Sequence, residues 1–181
     1  MTATRRRAGS TSGRRPAKPE ARPAHHSPRL LLVGEAAGYR GCRFSGIAFT
    51  SERSLPPERW SSKSERGWVE PSATIVHREL SRLGLEPVTI LWNTVPFHPA
   101  VEGRPLTNRT PTASERRGGE EWLSRLVSLT QPHLIVAVGL KATITLKALN
   151  LGGLAVRHPA NGGATLFREQ LRSIARDRGL V

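Results

Sequence analysis

A lone carboxylate stands in a glycine-rich stretch directly after an apolar run. The run Leu30–Val33 is followed by the letters GEAAGYRG, in which Glu35 is the only acid. Small residues leave the backbone bare, so a ligand can approach it closely, and a carboxylate placed there can act on water or on developing positive charge. Both an ordinary tight turn and a ligand-binding loop are consistent with this pattern.

Polar, glycine and proline residues also follow three further apolar runs. The letters NTVPFHP begin at Asn93, GLKA begins at Gly139, and RHPANGG begins at Arg157. If the apolar runs are parallel strands, these loops meet at one edge of the sheet, where ligands bind in folds of this class. We therefore expect the active site at that edge.

The order of the apolar runs predicts the elements that position these loops. Continuous apolar strands separated by amphipathic helices are typical of a parallel sheet that is covered on both faces. We predict an α/β fold, a three-layer sandwich with a central, mainly parallel four-stranded sheet flanked by helices. The predicted strands are Leu30–Val33, Val88–Trp92, Leu134–Val138 and Leu154–Val156, and the predicted helices are Thr74–Leu83, Ser114–Leu129, Lys141–Leu149 and Ala164–Arg176. On the second helix, one apolar face is expected to carry Trp122, Leu123, Leu126 and Leu129.

The charge of the chain indicates a polyanionic partner. The 181 residues include 28 Lys and Arg against 14 Asp and Glu, a formal net charge of +14. Nucleic acid is the first candidate, because such charge binds phosphates. An anionic membrane is the alternative, but no apolar run approaches the roughly 18 residues that a spanning helix needs. We expect a cytoplasmic, nucleoid-associated protein with no membrane partner.

The first 28 residues differ in composition from the rest. They hold seven Lys or Arg and one acid, Glu20, among Pro, Ser, Ala and Gly. Such a segment cannot bury enough apolar surface to fold, so residues 1–28 are predicted to be a disordered basic arm and residues 29–181 the folded domain. The arm either raises non-specific DNA affinity or only improves solubility.

The cysteine count limits the possible cofactors. Cys42 is the only cysteine, so an internal disulfide and a four-cysteine zinc or iron–sulfur site are excluded. The six histidines show no ligand-like spacing. We expect neither a metal nor an organic cofactor.

Taken together and in order, the loops resemble the uracil-DNA glycosylase superfamily. The shared features are GEAAG, Gly46-x-x-Phe49, Asn93, NRTPTASE from Asn108, VAVGLKA and RHPAN, and the resemblance extends from Leu31 to about Ile174. The short first motif and NRTP are most similar to the branch that usually carries an iron–sulfur cluster. Because the cluster cysteines are absent, the chain is expected to be a cluster-free relative.

The resemblance implies a function and a set of site residues. It implies a monomeric enzyme whose residues 29–181 hydrolyse the N-glycosidic bond of uracil in single- or double-stranded DNA and so initiate base-excision repair, without a cofactor. Glu35 and His158 would be catalytic, and Gly34, Ala36, Gly38, Tyr39, Phe49 and Asn93 would bind the substrate. DNA contacts would come from Asn108, Arg109, Lys141, Arg157, Asn161 and Gly162.

By resemblance, Glu35 orients water and favours positive charge on the sugar; its alternative role is to hold the loop by accepting backbone amides. Ala36 stands where the best-known branch has an aspartate, so water activation would depend on Glu35 or on positioning alone. Phe49 would stack on the flipped uracil or simply belong to the core. Tyr39 lies one position beyond the family tyrosine that excludes the thymine methyl group, and its role is open.

Asn93 would read uracil N3–H and O4, or else be a turn residue, and His158 would donate a hydrogen bond to uracil O2 as charge grows there. Asn108 and Arg109 are expected to organise their loop, and Arg109 also to reach phosphate. After His158 the chain lacks the apolar wedge of several relatives, and Leu166 is the nearest substitute. This predicts a preference for single-stranded or weakly paired uracil. A protein that binds nucleic acid without turnover is the alternative function.

Overall fold

The computed structural model describes residues 29–181, and the predicted basic arm lies outside the described residues. A four-stranded parallel sheet has the strand order β2-β1-β3-β4. The strands are β1 (Leu30–Ala36), β2 (Thr89–Val95), β3 (Leu134–Val138) and β4 (Leu154–Val156). The α-helices are α1 (Cys42–Ser45), α2 (Pro71–Arg82), α3 (Ala113–Thr130), α4 (Leu140–Ala148) and α5 (Ala164–Asp177).

Both faces of the sheet are buried, as continuous apolar strands require. Along β1, Leu30 and Leu32 pack in the cluster that includes residues of α2 and α5. Leu31 and Val33 face the opposite way and join the cluster of α3 and α4. The predicted three-layer α/β sandwich is confirmed, and its sheet is parallel throughout.

The first two strands run further than predicted. The parallel ladder between β1 and β2 continues past Val33 and Trp92, pairing Gly34 with Asn93 and Ala36 with Val95. The predicted strand ends were therefore wrong by three residues. The pairing between β1 and β2 outweighs the turn preference of a single glycine. Asn93 consequently lies inside a strand and is not a turn residue.

The predicted apolar face of the second long helix was partly wrong. Leu123 is fully buried, but Trp122 is 52% and Leu129 is 83% exposed. A Cβ at Gly119 would lie 1.8 Å from the Thr94 carbonyl oxygen, so α3 approaches β2 backbone to backbone at this glycine. That close approach fixes the rotation of α3 and leaves Trp122 and Leu129 outside.

The strand order places a crevice at one edge of the sheet. The chain passes from β1 to β2 on one side and then crosses to β3 on the other side of β1. At such a reversal the connecting loops diverge, and the space beyond the carboxyl ends of the two strands is left open for a ligand. Within residues 29–181, no helix is long and apolar enough to cross a membrane.

Candidate active site

A cavity of about 430 Å³ opens at this crevice. It is lined by the loops that follow all four strands, as the sequence predicts. Of the predicted site residues, those that line it are Glu35, Ala36, Gly38, Tyr39, Phe49, Asn93, Asn108, Arg109, Lys141, Arg157 and His158. Gly34 lies behind the wall, and Asn161 and Gly162 form an exposed turn after His158 with positive φ at both residues.

Gly34 brings the two predicted base-binding side chains together. A Cβ at this position would lie 2.5 Å from Phe49 Cζ and 2.6 Å from Asn93 Oδ1, so any larger residue would displace both of them. Both side chains are buried, Asn93 to 4% exposure. The glycine is required here by close packing, and its φ is not in the left-handed region.

Phe49 occupies a strained backbone conformation. Its φ of 51° is left-handed, which costs a non-glycine residue on the order of 1–3 kcal/mol. Such strain persists only where the surroundings fix it, and it is found most often at functional sites. Phe49 belongs to the buried apolar cluster between the sheet and α2 and α5 and also lines the cavity, so it is a core residue, and stacking on a base stays a prediction.

Cys42 lies beside the Asn93 amide. Burial, followed by the nearby Glu70 carboxylate, raises the pKa of the Cys42 thiol to about 11, against the smaller effect of a hydrogen bond with the Asn93 side chain. The sulfur is therefore a neutral thiol at physiological pH and a poor nucleophile. The thiol packs against the Asn93 side chain.

The geometry of His158 defines its tautomer. The backbone N–H of Ala160 donates to Nδ1 over 3.1 Å, so Nδ1 is the acceptor and a neutral ring carries its proton on Nε2. Burial, and then the positive charge of Arg157, lowers the pKa of His158 below its ordinary value, which favours that neutral form. Gly163 allows the chain to pass closely, since a Cβ there would collide with the His158 carbonyl oxygen, and a Cβ at Gly139 would make a tight contact of 3.1 Å with His158 Cβ.

Two carboxylates line the cavity, of which the sequence analysis identified one. Within the described part of the chain, no donor hydrogen-bonds the Glu35 carboxylate; only its carbonyl oxygen accepts, from Thr94 Oγ1 at 2.6 Å. Glu70 also lines the cavity and is held by Ser72, whose Oγ donates to Oε1 over 2.6 Å. A Cβ at Gly41 would lie 1.7 Å from Glu70 Oε2, so Glu70 packs directly on the glycine-rich loop. Glu70 packs on the loop without accepting a loop amide among residues 29–181, and the role of Glu35 stays a prediction.

The family is shown by comparison of the sequence with known families. A model described as the uracil DNA glycosylase superfamily matches residues 23–174. The chain belongs to this superfamily. Among solved structures, that of wild-type SMUG2 from Pedobacter heparinus is similar, with a TM-score of 0.63 and 16% identity over 86% of this chain and 77% of that chain. A likeness at this identity shows the shared fold, and a search of curated proteins finds no significant match.

In this superfamily member, the NRTPTASE segment is organised by Arg109. Its guanidinium forms two 2.7 Å hydrogen bonds with Glu115, and its Nε donates to the Ala100 carbonyl over 2.8 Å. Glu115 also completes a capping box with Thr112 at the start of α3. These hydrogen bonds, with Arg109 first, lower the pKa of Glu115 to about 2. The expected loop-organising role is seen here, whereas phosphate contact by Arg109 stays a prediction.

Two of the cavity loops are joined to each other. Asn108 Oδ1 accepts a 3.0 Å hydrogen bond from the backbone N–H of Tyr39. The Tyr39 ring packs edge-on against Trp68, with centroids 6.1 Å apart. Trp68 lies outside every recognised motif, and nothing in the sequence singles it out.

A second missed residue, Glu52, fixes the segment that carries Trp68. Its side chain is fully buried and accepts hydrogen bonds from Ser61, Ser62 and Trp68. Burial alone would raise the pKa of Glu52, but these hydrogen bonds, led by that of the Ser62 side chain, hold it below its usual value. A buried carboxylate with this many donors is a structural anchor rather than a reactive group.

Proposed function

We propose that this protein is a DNA glycosylase that hydrolyses the N-glycosidic bond of uracil in DNA and so initiates base-excision repair. Membership of the superfamily supports a glycosylase. The observation that carries the choice of base is the pairing of a buried amide with a strained aromatic residue over one glycine, Asn93 and Phe49 over Gly34. An amide can complement the donor and acceptor of one base edge, and an aromatic ring can stack on the base.

The base leaves as an anion while the sugar gains positive charge. The site must therefore stabilise negative charge on the base and positive charge on the sugar. As the C1′–N1 bond breaks, its electron pair stays with uracil, and charge grows on O2. A neutral His158 with its proton on Nε2 supplies a donor for that oxygen in a partly enclosed site. Because Ala160 fixes the ring through Nδ1, the donor is positioned before the reaction begins.

Glu35 acts on the sugar and on the attacking water. Its carboxylate is free of hydrogen bonds from residues 29–181, so it is available to favour the cationic sugar and to accept a proton from the attacking water, whose oxygen forms the new bond to C1′. Ala36 leaves Glu35 as the carboxylate that the β1 strand end contributes to the cavity.

Release of uracil from oligonucleotides tests this function. Purified protein is incubated with single- and double-stranded DNA that carries one uracil, and both free uracil and the resulting alkali-labile site are measured. The alternative function is nucleic-acid binding without turnover, and it is supported by Ala36 at the position of the usual aspartate. That alternative predicts DNA binding with no uracil released from any strand.

Gly34→Ala should lower the excision rate between about ten- and a hundredfold, because misplacing a reacting group by about 1 Å has effects of this size. The added methyl group would meet Phe49 and Asn93 at distances that require both to move. Single-turnover excision of uracil from single-stranded DNA measures the loss.

Gly118→Ala is the matched control, since a Cβ at Gly118 in α3 meets no atom within 4 Å. It should retain the parental rate. Equal rates for Gly34→Ala and the parent protein would show that the contact over Gly34 does not position the base.

Substitution of the two cavity carboxylates should show that Glu35 is reactive and that Glu70 is structural. Glu35→Gln keeps the shape but removes the charge, so the rate should fall about tenfold or more at an unchanged melting temperature. Glu70→Gln weakens the contacts with Ser72 and with the loop at Gly41, so it should lower the melting temperature, while the rate stays within about twofold because a neutral amide of the same shape still fills this part of the cavity wall. Single-turnover kinetics and thermal unfolding are measured on both variants. The reverse pattern would assign the chemistry to Glu70.

A further inference from the structure

A large apolar side chain stands exposed on the rim of the cavity. Leu140 is the first residue of α4, lines the cavity and is 72% exposed. One exposed leucine is ordinary on a protein surface and carries no meaning by itself. Leu140 is of interest because it lies beside the cavity that would hold the flipped base.

The backbone holds Leu140 firmly next to His158. Gly139 has a φ of +91° and donates its N–H to the Val156 carbonyl over 2.8 Å. The Gly139 carbonyl in turn accepts from both the N–H and the hydroxyl of Thr143 in α4. A Cβ at Gly139 would lie 3.1 Å from His158 Cβ, so the turn and the histidine are in direct contact. The backbone that carries the exposed Leu140 side chain is therefore held in place beside His158.

Cations line the same cavity as this leucine. Lys141, Arg157 and Arg40 are exposed and line the same cavity. A DNA strand whose phosphates contact these cations passes over Leu140 as it delivers a nucleotide to the cavity. The leucine then faces the stack that the flipped nucleotide has left.

Other exposed apolar residues are placed less well. Leu166, the substitute suggested by the sequence, lies on α5 and does not line the cavity. Phe97 is exposed in the loop after β2 and does not line it either. Ile144, one turn further along α4 and 53% exposed, lines a neighbouring cavity instead.

We propose, on the basis of the proposed glycosylase function, that Leu140 is the wedge that enters the base stack of duplex DNA when uracil is flipped into the cavity. Apolar side chains inserted between base steps hold a duplex open and offset an unstacking cost of a few kcal/mol. A single strand has no partner strand to separate. Leu140 is therefore a positioning residue whose effect is confined to paired substrates.

The test compares Leu140→Ala with the parent protein on single-stranded uracil, U:G and U:A substrates under single-turnover conditions. Duplex excision should fall about tenfold or more, because the unstacking cost is no longer offset, while single-strand excision stays within about twofold. Ile144→Ala is the matched control and should leave all three rates unchanged. Leu166→Ala tests the rival wedge.

A second measurement does not depend on catalysis. A duplex with 2-aminopurine beside a 2′-fluorinated deoxyuridine, whose glycosidic bond resists hydrolysis, reports unstacking by a rise in fluorescence. The rise should occur with the parent protein and with Ile144→Ala and be lost with Leu140→Ala at saturating protein. The wedge role would be overturned if Leu140→Ala lost excision equally on single and double strands or kept the parental rates. It would also be overturned if Leu166→Ala selectively lost duplex excision, or if the parent protein gave no rise in fluorescence. Absence of uracil release from every strand despite a Leu140-dependent rise would instead overturn the proposed activity.

Discussion

His158→Ala is expected to lower the rate of uracil excision about a hundredfold or more, because removing one donor aimed at developing charge has an effect of this size. The alanine variant loses the Nε2–H that the Ala160 contact makes available. DNA affinity should change much less, since charge on the base develops only as the bond breaks. Single-turnover rates at saturating protein, together with a binding isotherm, separate the two effects.

His133→Ala is the matched control, because His133 is exposed at the opposite end of β3, beside Leu134. It should retain the parental rate. His158→Gln keeps a side-chain donor and should recover part of the loss. Equal decreases in rate and affinity for His158→Ala would indicate a binding or folding role instead.

The pH dependence of the parent enzyme follows from the same contact. Protonation at Nδ1 places a proton against the Ala160 N–H and breaks the hydrogen bond that orients the ring. Because the pKa of His158 is held below the ordinary value of 6.5, the neutral form should persist to lower pH, and the rate should fall only as the pH drops through that lowered pKa. In His158→Ala this contribution to the acid limb should disappear.

The architecture could be predicted because the apolar stretches and the helices alternate along the chain, which is typical of a parallel sheet covered on both faces. Each strand contains a continuous apolar stretch, so both faces of the sheet must be covered, and the polar residues that follow these stretches must gather at one edge. Strand ends were less predictable, since Gly34 and Asn93 are held in the ladder by neighbours that are distant in sequence. The rotation of α3 depends on the contact between Gly119 and Thr94, which no periodicity reveals.

The candidate site was predictable where polar or glycine residues stand at or just after the end of an apolar run. Glu35, near the end of β1, and His158, in the loop after β4, stand in stretches with a recognisable composition, and both line the cavity. Glu70 stands at the start of α2, in a stretch that resembles an ordinary helix entry, and only the contact with Gly41 reveals its relation to the loop. Leu140 is one leucine among many in the sequence, and its exposure is a property of the fold.

Asn93 is expected to decide which pyrimidine is accepted. Uracil presents a donor at N3 and an acceptor at O4, whereas cytosine presents an acceptor at N3 and a donor at N4. Because the amide is buried between Gly34 and Cys42, it is held in one place, and the wrong base would leave polar groups unpaired. Sites of this kind can discriminate by large factors.

Asn93→Ala should lower uracil excision about a hundredfold or more without creating activity on cytosine, since the hydrogen bonds to the base edge are lost and none replaces them. Asn93→Asp should also lose uracil activity, because an ionised carboxylate faces O4 with repulsion. Burial disfavours the charged form of that carboxylate, and a protonated acid can donate to cytosine N3 and accept from N4, so slow cytosine excision is expected from this variant alone. Excision is measured on matched uracil and cytosine oligonucleotides, with circular dichroism and thermal unfolding as checks of the fold. If both folded variants excise uracil at close to the parental rate, Asn93 only completes the strand, and the base must be read by a residue of another loop.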